Sequence, residues 1–119
     1  HLFPNTYMHS GVVLPLIYRF RPNGMDVDSA IFDILVLRPI PENGVAPEPA
    51  EPHRLAPGES YTTVPGLDPG LAVVYDQDTG NLAMQQRAFH SAARGGGKRG
   101  ETLGNYQEVR IRRIHKTLD

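Results

Sequence analysis

An aspartate in the middle of an apolar helical stripe is the residue of this sequence most suited to chemistry. Asp78 lies one helical turn after Val74 and one turn before Leu82, in a segment whose apolar side chains recur every three or four residues. A carboxylate buried in such a stripe must be protonated, paired with a base or bound to a cation, because burying it alone is very costly. The members of the stripe are Leu71, Val74, Tyr75, Asp78, Leu82, Gln85 and Phe89.

The pattern alone leaves two interpretations of Asp78 open. In the first, Asp78 forms an ordinary salt bridge with Arg19, with Arg21 or with the C-terminal helix. In the second, it is a ligand or a catalytic group, which agrees with the poor helix former Gly80 beside it. Asp76 falls on the opposite, solvated side of the helical wheel, so it is the weaker candidate.

Two helices are expected to position these side chains. Asp68 and Pro69 supply an N-cap and a first-turn proline for a helix over residues 70–94, which the run Gly95-Gly96-Gly97 ends. A second helix is expected over residues 105–119, with its apolar side chains on one side and most of its basic side chains elsewhere.

The residues before these helices predict a sheet and a connector. Residues 1–38 read as antiparallel strands joined by short turns, because β-branched, aromatic and alternating side chains are frequent there. Residues 39–69 are rich in proline, which predicts an extended connector. The expected strands are Leu2–Tyr7, Val12–Arg21 and Ile31–Leu37, with turns at His9-Ser10-Gly11 and Asn23-Gly24. This order predicts an α+β fold in which a long C-terminal helix packs on an antiparallel sheet.

Composition excludes several classes of function. The 119 residues contain no Cys, which excludes a disulfide scaffold, a cysteine nucleophile and a thiolate-bound cluster within this chain. The net charge of −1 does not favour nucleic acid, and the basic side chains near the C-terminus are better explained as a solvated helix face. No apolar stretch is long enough to span a bilayer and the first residues lack a signal peptide, so we expect a cytoplasmic protein with no membrane partner.

Several short motifs, taken in order, resemble one enzyme family. The motifs are Phe3-Pro4-Asn5, Tyr18-Arg19-Phe20-Arg21-Pro22-Asn23-Gly24, Asp76-Gln77-Asp78-Thr79-Gly80-Asn81-Leu82-Ala83-Met84-Gln85-Gln86, and a closing helix with Glu108 and His115. Their order and spacing resemble the C-terminal part of the catalytic domain of Rieske non-haem iron ring-hydroxylating oxygenases (α subunit). The resemblance covers nearly the whole chain, and it implies a partial helix-grip domain.

The resemblance also implies roles for individual residues. In this family two histidines and one aspartate hold a mononuclear Fe(II), and the aspartate precedes an asparagine by three residues. Asp78 would be that ligand, with Asn81 and Gln85 behind it as supporting or helix-packing residues. Asn5 and Val74 would line the pocket for a small aromatic substrate. The whole enzyme would hydroxylate such rings with O2, in aromatic hydrocarbon catabolism, using electrons from NAD(P)H.

The chain also departs from the family pattern. In the family, the two histidine ligands belong to a segment upstream of the Phe-Pro-Asn strand. The Rieske [2Fe-2S] cluster needs two cysteines and two histidines from a separate N-terminal domain, and this sequence has no cysteine. We therefore expect a piece of a larger catalytic domain that is inactive alone, whose partners are other oxygenase subunits. The alternative is a stand-alone ligand-binding or interaction module that self-associates to complete its sheet.

Overall fold

A computed structural model describes residues 1–9, 15–95 and 103–118. These residues divide into two units, one formed by residues 1–48 with the C-terminal helix, and one that begins at Pro49. The first unit contains a three-stranded antiparallel sheet and the second is helical, which confirms the predicted α+β class and the antiparallel sheet.

The sheet is a meander of consecutive strands in the order β1-β2-β3, with β1 at Thr6–Met8, β2 at Leu16–Asn23 and β3 at Asp26–Val36. The predicted Asn23-Gly24 turn joins β2 to β3. Gly24 has a φ of +61°, a left-handed conformation that glycine adopts without a Cβ clash. Of the other predicted turn, Ser10 and Gly11 lie outside the described residues.

One face of the sheet carries a row of aromatic rings. The ring of His9 lies between those of Tyr7 and Tyr18, at 4.9 and 4.7 Å between centroids, and Phe32 stacks on Phe20 at 4.7 Å. Such ring pairs on neighbouring strands stabilise a sheet beyond the area that they bury. His9, which the sequence assigned to a turn, is half-buried in this row.

The second unit begins with an extended segment and continues into helices. Residues 37–48 of the first unit and 49–60 of the second contain neither helix nor strand, and a short 3-10 helix follows at Tyr61–Thr63. Helix α1 spans Pro69–Gly80, and the Asp68 carboxylate caps it by accepting a hydrogen bond from the backbone N–H of Leu71 at 2.9 Å.

The single helix expected over residues 70–94 is divided in two. Helix α1 ends at Gly80, and helix α2 spans Leu82–Arg94. Asn81 lies between them and closes α1 with a hydrogen bond from its backbone N–H to the carbonyl of Thr79. Gly80 weakens the helix at this point because it has the most backbone entropy to lose. Helix α2 ends where the glycine run begins, and Gly95 donates its N–H to the carbonyl of Ser91.

The C-terminal helix α3 is shorter than expected, at Val109–Leu118, and Asp119 lies outside the described residues, as do Gly96 and Gly97. Buried hydrophobic side chains are few in the described chain: Leu16 in the sheet, and Ala72 and Tyr75 in α1. Many large apolar side chains in both units therefore remain exposed.

Candidate functional site

The carboxylate of Asp78 is exposed on the outer face of α1. The expectation that it lies buried in an apolar stripe is wrong. Val74, one turn earlier, is 45% exposed, and Leu82 and Phe89 on α2 are also about half exposed. No other described part of the chain buries these apolar residues of the predicted stripe.

The buried face of α1 is a different one. It contains Ala72 and Tyr75, which are only 1% and 3% exposed, and the half-buried Asp76 and Thr79. Tyr75 and the half-buried Leu71 belong to both the predicted stripe and this face, whereas Val74 and Asp78 do not. Asp76, which the helical wheel placed toward solvent, is the acid that turns inward.

Asp76 connects α1 to the 3-10 helix through both of its carboxylate oxygens. Oδ2 accepts a hydrogen bond from the hydroxyl of Ser60 at 2.6 Å, and Oδ1 accepts one from the backbone N–H of Tyr61 at 2.9 Å. The Ser60 hydrogen bond, followed by the one from Tyr61, lowers the pKa of Asp76 below its ordinary value, because both donors stabilise the ionised form. This residue is therefore an anionic acceptor inside its unit.

Asn81 and Gln85 lie close together at the break between the helices. The Gln85 side-chain amide donates to Asn81 Oδ1 at 3.1 Å, and the Gln85 backbone N–H donates to the Asn81 carbonyl. Both residues are exposed, and neither makes a side-chain hydrogen bond to Asp78 among the described residues. Their contact orients the start of α2 directly after the turn that carries Asp78.

Asn5 belongs to the other unit, directly before β1. Its backbone carbonyl accepts the N–H of Phe20 at 2.9 Å, and its side-chain oxygen accepts the hydroxyl of Thr6 at 3.3 Å. The side chain is half-buried. Asn5 and Val74, both proposed from the resemblance as pocket residues, thus lie in separate units of the fold.

The arginines considered as partners of Asp78 have a different partner. Arg19 Nε and Arg21 Nε both donate to Asp33 Oδ2, at 2.9 and 2.6 Å, and Arg21 also reaches Oδ1 at 2.9 Å. Arg19 and Asp33 are directly opposite in the β2–β3 register. The hydrogen bond from Arg21 is the main reason that the pKa of Asp33 falls to about 2.

The iron site implied by the resemblance requires two histidines beside the aspartate. Within residues 1–9, 15–95 and 103–118, no three His, Asp or Glu side chains gather into a group that could hold a metal ion. Asp78 is a single exposed carboxylate here. The described residues therefore do not by themselves fit a mononuclear iron centre, and a chain of this composition would supply one ligand of three.

Sequence reasoning missed the inward role of Asp76, and with it Ser60. One signal was available, since Ser60 begins a Ser-Tyr-Thr-Thr segment typical of local side-chain to backbone hydrogen bonding. The partner of that segment, 16 residues further on, could not be read from periodicity.

Searches of protein-family models, curated proteins and solved structures find no match to this chain. None of the helices in the described part of the chain is long and apolar enough to cross a membrane.

Proposed function

We propose that this chain is the C-terminal part of the catalytic domain of a Rieske-type ring-hydroxylating oxygenase α subunit, a cytoplasmic enzyme acting on a small aromatic substrate. In this proposal Asp78 is the carboxylate ligand of a mononuclear Fe(II), and the two histidine ligands come from outside residues 1–119. The sheet β1–β3 would then be one part of a larger helix-grip sheet. Bound Fe(II) supplies the O2 chemistry of such enzymes.

The observation that carries the proposal is the presentation of Asp78. Its carboxylate is exposed one helical turn after the half-exposed Val74 and four residues before the half-exposed Leu82, which begins α2, whereas the neighbouring acid Asp76 is occupied by Ser60 and Tyr61. When another protein surface covers these apolar side chains, it removes water from around Asp78, and a desolvated carboxylate needs a cation. A metal ion held jointly with that surface meets this need.

Iron binding by the longer polypeptide that includes the upstream histidine segment tests this proposal. We expect about one Fe(II) per chain in an anaerobic titration, and a loss of affinity well over 10-fold in Asp78→Asn, since even residues behind the ligands cost 10–100-fold. Asp68→Asn is the matched control: it also removes an acid from α1, but Asn is an equally good N-cap, so iron binding should not change.

Two outcomes would contradict the proposal. Iron affinity that is unchanged in Asp78→Asn would remove Asp78 from the ligand set. A wild-type longer polypeptide that binds no iron would count against the oxygenase assignment as a whole.

A second candidate function has its own supporting observation. Strand β3 is the longest strand, with 11 residues, and among the described residues it pairs only with β2. A strand at the edge of its sheet is a template for pairing with a second copy. The chain would then be a stand-alone interaction module that completes its sheet by self-association, and sedimentation of a monomer at all accessible concentrations would reject this candidate.

A further inference from the structure

We infer that Ser60 and Asp76 form a clasp that sets the rotation of α1 about its own axis and thereby positions Asp78. The term "Ser60–Asp76 clasp" refers here to these two side chains together with the backbone N–H of Tyr61. The role of the clasp toward iron rests on the function proposed above. Its control over the orientation of α1 does not.

The clasp holds one carboxylate at two points. Ser60 Oγ and the Tyr61 backbone N–H each donate to a different oxygen of Asp76, at 2.6 and 2.9 Å. Ser60 Oγ in turn accepts the backbone N–H of Thr62 at 3.1 Å, so the hydroxyl is itself anchored to the 3-10 helix. A carboxylate held through both oxygens has little freedom to turn, and hydrogen bonds to an ionised group are stronger than neutral ones.

An aromatic contact reinforces the same orientation. The ring of Tyr61 lies 5.4 Å from the ring of Tyr75, and Tyr75 is 3% exposed. Tyr75 and Asp76 are neighbours on the helix, and Ala72, one turn before them, is also buried. Consecutive residues attached to the same 3-10 helix fix both the position of α1 and its rotation.

Helix geometry transmits this rotation to the outer face. Residues on an α-helix are separated by about 100°, so Val74 and Asp78, each two residues from Asp76, lie about 200° around the axis from it. Holding Asp76 inward therefore turns Val74 and Asp78 outward together. Ser60 and Asp76 are positioning residues in this account, and Asp78 is the residue they present.

The orientation can be measured on the chain as it stands, without iron. In the 15N-labelled full chain, we expect residual dipolar couplings of the amides in residues 60–67 and in α1 to fit a single alignment tensor. In Ser60→Ala they should no longer do so, because the hydroxyl donor is lost. Ser60→Thr keeps a hydroxyl and should restore the single tensor. Ser91→Ala is the matched control, since it removes a serine hydroxyl that donates to the Arg87 carbonyl on α2 and not to Asp76.

A second variant distinguishes a change in the orientation of α1 from unfolding of the helix. Asp76→Asn keeps one carbonyl oxygen as an acceptor but cannot accept both hydrogen bonds, so it should loosen the orientation while α1 remains helical. Couplings that still fit one tensor in both Ser60→Ala and Asp76→Asn would overturn the inference. Loss of the α1 helix in both variants would also overturn it, because the clasp would then be needed for folding rather than for orientation.

The Fe(II) affinity of the longer polypeptide tests whether the orientation of α1 positions Asp78 as a ligand. We expect Ser60→Ala to weaken Fe(II) binding about 10-fold, with recovery in Ser60→Thr. Unchanged affinity, despite a loosened α1, would show that the clasp does not position a ligand. If the wild-type polypeptide binds no iron, the proposed function fails, while the dipolar couplings still decide whether the clasp orients α1.

Discussion

Asp76 and Asp78 lie two residues apart on α1 and face opposite sides of the helix. Asp76 accepts hydrogen bonds from Ser60 and from the backbone of Tyr61, whereas Asp78 is exposed beside half-exposed apolar side chains. Two acids of the same type thus have different uses within one turn. The first stabilises the fold of its unit, and the second is available for a ligand or partner.

The different surroundings of Asp76 and Asp78 predict that removing the two carboxylates changes the stability of the protein in opposite directions. Asp76→Ala should lower the melting temperature by roughly 5 °C, because it leaves the Ser60 hydroxyl and the Tyr61 N–H without their acceptor. Asp78→Ala should raise it by about 2 °C, since alanine is the better helix former and an acid is unfavourable in the last turn of a helix. Thermal unfolding followed by circular dichroism measures both, and a destabilising Asp78→Ala would contradict this account.

The buried tyrosine of α1 gives a second prediction. Tyr75→Ala should lower the free energy of unfolding of its unit by about 3 kcal/mol or more, because a large aromatic side chain is removed from a very small core. Tyr106→Ala is the matched control, since Tyr106 is 87% exposed and its loss should change stability by less than about 0.5 kcal/mol. Urea titrations measure the unfolding midpoint of each variant. Equal midpoints would contradict the placement of Tyr75 in the core of its unit.

Two glycines of the helical unit should respond differently to the same substitution. A Cβ added at either Gly80 or Gly66 meets no atom within 4 Å, so space does not distinguish them. Gly80 ends a helix, and Gly80→Ala should stabilise by up to about 1 kcal/mol. Gly66 has a φ of +76°, and Gly66→Ala should destabilise by about 1 kcal/mol through backbone strain. Chemical denaturation of the two variants measures whether each substitution raises or lowers stability. Two effects of the same sign would contradict this prediction.

The arginine–aspartate cluster of the sheet predicts a pH dependence. The hydrogen bond from Arg21, and then that from Arg19, lowers the pKa of Asp33 from its ordinary value of 3.8 to about 2. Because the folded-state pKa lies below the unfolded one, this stabilisation is fully present above about pH 4 and is lost as the pH falls toward 2. Asp33→Asn should therefore be less stable than the wild type near pH 6, with a difference that is largely lost as the pH falls through 2.

The expected difference is small, because the two guanidinium groups are 46% and 41% exposed and solvent screens them. Denaturant titrations at a series of pH values, with both chains compared at each value, measure it. A wild-type advantage that persists unchanged at pH 2 would show that charge on Asp33 is not its source.

Local sequence signals predicted a large part of the fold. Alternating side chains indicated β2, Asn23-Gly24 indicated the turn to β3, and Asp68 with Pro69 indicated the start of α1. These signals succeed because backbone conformation and capping act between residues that are near in the chain.

The orientation of α1 and the partner of the arginines were not predictable in the same way. Which face of α1 turns inward depends on Ser60, and Asp33 receives the two arginines only once the register of β2 and β3 is set. Helical periodicity predicted that the face with more apolar residues turns inward. The two hydrogen bonds that the Asp76 carboxylate accepts outweighed that preference. The roles of Asp78, Asn81, Gln85, Asn5 and Val74 toward iron and substrate stay predictions.

The span of the Ser60–Asp76 contact has a consequence for the order in which this protein folds. Only 16 residues separate its two partners, and the cost of closing a loop of this size is modest. Loops of about ten residues close within roughly 100 ns, and contacts local in sequence generally form early. During synthesis, the face of α1 that carries Asp78 should therefore be established as soon as the chain through Gly80 has left the ribosome, before α2 has emerged from it.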